Sequence, residues 1–98
     1  MQISSRQPRR GTWVRPILSK ALGALWYDHR GDWDKAHELA QAAGGKDGAW
    51  VHAYLHRKEG NEGNAGYWYR LAGQPAAVNS LAEEWQNIAR SLLGEKKA

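Results

Sequence analysis

His52 and His56 stand four residues apart, the helical spacing that puts two imidazoles on one face, where they can share a metal ion. A site of that kind needs further ligands. Glu59, three residues on, and His37, in an earlier helical segment, are the candidates. Against the site, there is no His-Glu-x-x-His pattern, no cysteine and no third histidine close to the pair in sequence. His56 is also followed directly by the cations Arg57 and Lys58. The pair therefore reads as hydrogen-bonded or partly exposed helix residues, and neither a metal nor a cofactor is expected.

Asp28, His29, Asp32 and Asp34 form a second polar group. Asp28 and His29 could make an acid–base pair, and the aspartates could hold a hard cation. Their spacing fits no calcium loop, and helix capping accounts for Asp32 and Asp34. Neither Gly60-Asn61-Glu62-Gly63 nor Gly44-Gly45-Lys46 has the lysine-and-strand context of a phosphate loop. Ser4, Ser5, Ser19, Ser80 and Ser91 sit in no nucleophile elbow. No constellation points to a reaction, and the expectation is a protein that is not an enzyme.

The elements that must position these residues belong to a chain of 98 residues, enough for one small core. The absence of cysteine excludes disulfide frameworks, thiolate metal sites and thiol chemistry. The net charge of +4 is unevenly placed. Arg6, Arg9, Arg10 and Arg15 lie in residues 1–15, which hold no acid; the remainder carries ten basic and ten acidic residues. Residues 1–15, with Ser4, Ser5, Pro8 and Gly11 and no periodicity, are expected to be a disordered basic arm, and residues 16–94 a single all-helical domain. Pro16 and Lys20 interrupt the only run that could imitate an export signal, and no apolar stretch approaches 18 residues. A cytoplasmic protein without a membrane segment is expected.

Five helices follow from the spacing. The first, starting at Pro16, carries Leu18, Ala21, Leu22, Leu25 and Trp26 on one face and ends at Gly31. Asp32 caps the second, with Trp33, Ala36, Ala40 and Ala43 on its stripe and Gly44-Gly45 as its stop. The third, capped by Asp47, holds Trp50, Val51, Ala53, Tyr54 and Leu55 and stops at Gly60. The fourth starts at Asn61 or Asn64, carries Ala65, Trp68, Tyr69 and Ala72, and ends at Gly73 and Pro75. The fifth, after Asn79 or Ser80, has Leu81, Trp85, Ile88, Ala89 and Leu92. Its Glu83, Glu84, Gln86 and Arg90 are expected to face water. No segment alternates with period two for long enough to be a strand.

The chain matches itself at an offset of 29 residues. Ala24 falls on Ala53, Gly31 on Gly60, Ala36 on Ala65, Ala43 on Ala72 and Gly44 on Gly73. One helical hairpin cannot bury its apolar stripe, whereas a stack of two with a closing helix can. Gly31-Asp32-Trp33-Asp34-Lys35-Ala36, followed by Ala40 and Ala43, and Asn64-Ala65-Gly66-Tyr67-Trp68-Tyr69-Arg70-Leu71-Ala72-Gly73 carry a resemblance to the tetratricopeptide-repeat superfamily, including its Sel-type branch. It covers roughly residues 18–75. It departs from the family pattern in having Gly23-Ala24 and His52-Ala53 where Leu-Gly is usual, and in its short repeat. The resemblance implies two antiparallel hairpins of an α-solenoid, sealed at the open end by the fifth helix.

That resemblance also implies a protein-interaction scaffold. Six Trp, four Tyr and no Phe agree with it, because not all of these rings can be buried in so small a domain. Trp33, Trp50, Trp68 and Trp85 fall at core spacings. Tyr27, Tyr67, Arg70 and Trp13 are the expected contact residues for a protein or peptide partner or for a second copy of the chain. The alternative is nucleic-acid binding, with Arg6, Arg9, Arg10 and Arg15 on phosphates and aromatic rings on bases. The formally neutral body argues against it.

Overall fold

The computed structural model describes residues 19–94, in which five helices and no strand are present. They are α1 (Lys20–His29), α2 (Trp33–Ala43), α3 (Gly45–Lys58), α4 (Glu62–Ala72) and α5 (Leu81–Leu92). The basic arm, with Arg6, Arg9, Arg10, Arg15 and Trp13, lies outside the described residues, as does Pro16.

The caps fix the frame. α1 begins at Lys20, where the Ser19 hydroxyl caps it by accepting from the Leu22 N–H at 3.2 Å. Asp32 and Asn61 cap α2 and α4, accepting from Lys35 and Asn64 N–H groups at 3.0 and 3.2 Å. Ser80 and Glu83 form a reciprocal capping box on α5. α3 starts earlier than Asp47 would have it: Gly44 is its N-cap and Asp47 sits in its first turn, where negative charge suits the helix dipole.

The 29-residue match is visible at the turns. At the end of α1, Gly31 N–H donates to Asp28 O and Asp32 N–H to Tyr27 O; at the end of α3, Gly60 N–H donates to Arg57 O and Asn61 N–H to His56 O. Both are Schellman closures, and both need the positive φ (87° and 88°) that glycine supplies. Each turn then delivers its capping residue to the next helix.

Packing follows. α1 lies along α2 and α3 along α4, while α2 joins the two pairs through α3. α3 touches all four other helices and buries Val51 to His56 without a break, which is how a central helix reads. The main core gathers Ala21, Ala24, Leu25, Ala36, Ala40, Val51, Tyr54, Leu55 and Ile88; a smaller one joins Ala53, Ala65 and Tyr69. Trp33, Trp50, Trp68 and Trp85, expected in the core, pack against it half-buried. Three of these indoles tie helices together: Trp33 Nε1 donates to Leu55 O and Trp85 Nε1 to Leu25 O, each at 3.1 Å, and Trp50 Nε1 to Glu84 at 3.2 Å.

Two expectations are corrected here. α5 does not close the outer side of the second hairpin: its main neighbours are α3 and α1, so it bridges the first helices of both pairs. Glu84 does not face water; it is 2% exposed. It stands three residues after Leu81 and four before Ile88, on the stripe that α5 turns inward.

Gly48 sits where α3 comes close to the end of α2. A Cβ built there would lie 2.7 Å from Ala40 O and 3.1 Å from Ala43 Cβ, and the first neighbour is backbone. Gly48→Ala is expected to lower stability by up to about 2 kcal/mol: overpacking against a backbone oxygen costs up to about 3 kcal/mol, of which alanine's helix propensity returns ~1 kcal/mol. A thermal melt checks this; unchanged or raised stability would contradict the close approach.

Candidate functional site

Two regions carry polar or aromatic groups beyond what the core needs. The first is the outer surface of the helix pairs. On α4, Ala65, Tyr69 and Ala72 turn inward onto α3, which leaves Tyr67 (51% exposed), Arg70 and Leu71 (48% exposed) outward. Tyr67 leans edge-on against Trp68, with ring centroids 5.2 Å apart. On α1 the exposed ring is Trp26, also 51% exposed, with the Arg30 guanidinium 4.7 Å from its centroid. The expected residue, Tyr27, is instead half-buried against the main core, with the Lys35 ammonium 5.8 Å from its ring. Trp26 lies next to the Leu22–Leu25 stripe in a helical projection, but α1 buries the side of Ala21, Ala24, Leu25 and Asp28. Among the described residues, no aromatic contact joins the Trp26–Tyr27 pair to the Tyr67–Trp68 pair.

The second region is the interior along α3. Asp28, considered above with His29, Asp32 and Asp34, is not part of a turn cluster. It is buried and accepts from Tyr54 Oη at 3.0 Å and from Lys58 Nζ at 2.7 Å. Glu84 accepts from Trp50 Nε1, from Tyr69 Oη at 2.6 Å and from Arg57 at 2.8 Å; the same guanidinium donates to Asn79 O. Burial, followed by the facing carboxylate, pushes the Tyr54 and Tyr69 phenols well above the usual tyrosine range, so both remain donors. Arg57 and Lys58, which in sequence speak against a cation near His56, are thus committed to Glu84 and Asp28.

His52 and His56 meet His37 from α2, and the three ligand nitrogens lie within 4.8 Å of one another. His52 Nε2 and His37 Nε2 are 2.8 Å apart. His56 Nδ1 is held by Glu59 at 2.6 Å. The rings are fixed by stacking: His37 on Trp33 with centroids 4.8 Å apart, His52 on Trp68 at 3.8 Å. The sequence names His52, His56, Glu59 and His37 as candidates; the α2–α3 packing brings His37 to the pair. His52 also lines a groove of about 450 Å3, with Gln41, Lys46, Trp68 and Leu71 on its walls.

Burial, then the neighbouring histidines, lowers the His52 pKa to about 4; burial, then His56, lowers that of His37, partly offset by Glu59 and Asp34. In the unfolded chain both would titrate near 6.5. Between about pH 6.5 and 4 the unfolded state therefore binds the His52 proton that the folded state refuses. Stability from this source is complete above pH 6.5 and falls as the pH drops towards 4, by about 1.4 kcal/mol per pH unit at full slope for each such group. Urea midpoints across that range, with a chelator present, should decline less steeply in His52→Gln than in wild type. Equal slopes would contradict the buried neutral imidazole.

No helix among the described residues is long and apolar enough to cross a membrane. The chain matches no protein-family model, no curated protein and no solved structure.

Proposed function

We propose that this chain is a small non-enzymatic adaptor of TPR-like hairpins, a short α-solenoid, that binds a partner protein or peptide through the outer face of α4. The observation that carries this reading is the Tyr67, Arg70 and Leu71 surface: an aromatic, a guanidinium and an aliphatic side chain exposed together on a helix whose inner side is spent on α3. Aromatic rings and arginine are the types enriched where proteins meet. Trp26 with Arg30 supplies a second patch of the same composition. Because α5 occupies the α1–α3 side, the surface left for a partner is the outside of the pairs. A second copy of the chain would meet the same face. The equal numbers of acids and bases outside the N-terminal arm favour this over nucleic-acid binding.

Affinity capture from the source cell tests it. Wild type and a form lacking residues 1–15 should retain the same protein prey. Tyr67→Ala/Arg70→Ala should lose it with its melting temperature unchanged. Prey that survives the double substitution, or that is nucleic acid and depends on the arm, would overturn the proposal.

A further inference from the structure

Three of the chain's four histidines converge although nothing in the adaptor reading uses them. We propose that His37, His52 and His56 form a site for one divalent transition-metal ion of the zinc class, with Glu59 as the carboxylate that orients His56.

The geometry has the parts such a site requires. Zinc–imidazole bonds of about 2.0–2.1 Å place tetrahedral ligand nitrogens ~3.3 Å apart. Here two of the nitrogens are 2.8 Å apart and all three lie within 4.8 Å, so changes in separation of up to about 1.5 Å gather them around one ion. With its Nδ1–H donated to Glu59, His56 has Nε2 left as its ligand atom; His37 and His52 meet at Nε2, and the proton of their hydrogen bond moves to Nδ1 when both bind the ion. A carboxylate behind a ligating histidine is the usual outer-shell arrangement; it fixes the tautomer and raises ligand basicity. Two rings are further held by stacking on Trp33 and Trp68.

The local charge agrees. The cations nearest in sequence, Arg57 and Lys58, are bound to Glu84 and Asp28. The acids that act on the cluster are Glu59 and Asp34. Three neutral imidazoles with acids beside them select zinc, cobalt, nickel or copper over magnesium or calcium, which prefer oxygen ligands. Three protein ligands leave the fourth position to water or to a small ligand, and the groove that His52 lines offers a route to it.

The alternative is an imidazole pair sharing a hydrogen bond, and zinc titration of the full chain separates the two. Calorimetry should show one equivalent of zinc per chain, and cobalt in its place should give the intense visible absorption of tetrahedral coordination. His37→Gln, a half-buried position, and His56→Gln should lose one-equivalent binding, while His29→Gln should keep it. Glu59→Gln should bind roughly 10–100-fold more weakly. In unsubstituted protein, zinc should shift the imidazole nitrogen resonances of His37, His52 and His56 and leave His29 unmoved, a readout independent of whether any variant folds. No uptake of zinc, uptake that moves His29 alone, or uptake undiminished in both His37→Gln and His56→Gln would overturn the site.

Discussion

Replacing Glu84 with alanine is expected to cost the domain about 3–5 kcal/mol, the range found when one partner of a buried ion pair is removed. The carboxylate is 2% exposed and serves three donors on two other helices: Trp50 and Arg57 from α3 and Tyr69 from α4. Alanine strands a phenol, an indole N–H and a guanidinium at once. For a domain of this size each kcal/mol moves the melting temperature by about 4–8 °C, so the variant should melt at least ~12 °C below wild type or not fold. Glu84→Gln should lose less, because its amide oxygen can still accept. Glu83→Ala, one residue away on the exposed capping box, should cost only ~1 kcal/mol. A Glu84→Ala loss as small as that of Glu83→Ala, read from urea unfolding, would contradict the buried assignment.

Trp85→Ala is the second large effect expected, about 3–5 kcal/mol. Its ring packs against the main core, and its Nε1–H is bonded to Leu25 O, sixty residues back in the chain. The substitution removes both the packing and the tie between α5 and α1. Leu93→Ala, at the exposed end of the same helix, serves as the comparison and should cost well under 1 kcal/mol. Differential scanning calorimetry of the two variants distinguishes a docked α5 from a loosely associated one, for which both would melt alike.

The parts of the fold that were legible are those decided within a few residues. The caps at Asp32 and Ser80 and the stops at Gly31, Gly60 and Gly73 depend on one side chain or one positive φ and the turn beside it. The number and order of helices followed. What escaped depends on partners far along the chain. Asp28 and Glu84 look like solvated acids until Tyr54, Lys58, Trp50, Arg57 and Tyr69 arrive from 15 to 34 residues away. Glu84 did leave a signal, its place on the α5 stripe between Leu81 and Ile88. Trp26 shares the Leu22–Leu25 face in projection, but a projection of α1 alone does not show which flank its neighbours α2, α3 and α5 cover. The members of the histidine cluster were legible, His52 and His56 by spacing and His37 as a candidate on the preceding helix, but their convergence depends on the way α2 crosses α3.

The assignment of the contact surface rests on one claim, that α5 is clamped across α1 and α3 and so fixes which surfaces remain outside. Native-state hydrogen exchange measures this directly. The amides of Glu84 to Ile88 should open with the same free energy as those of Leu55 in α3 and Leu25 in α1, in one cooperative step. Exchange of the α5 amides at near-unprotected rates, with α1 to α4 still protected, would contradict it.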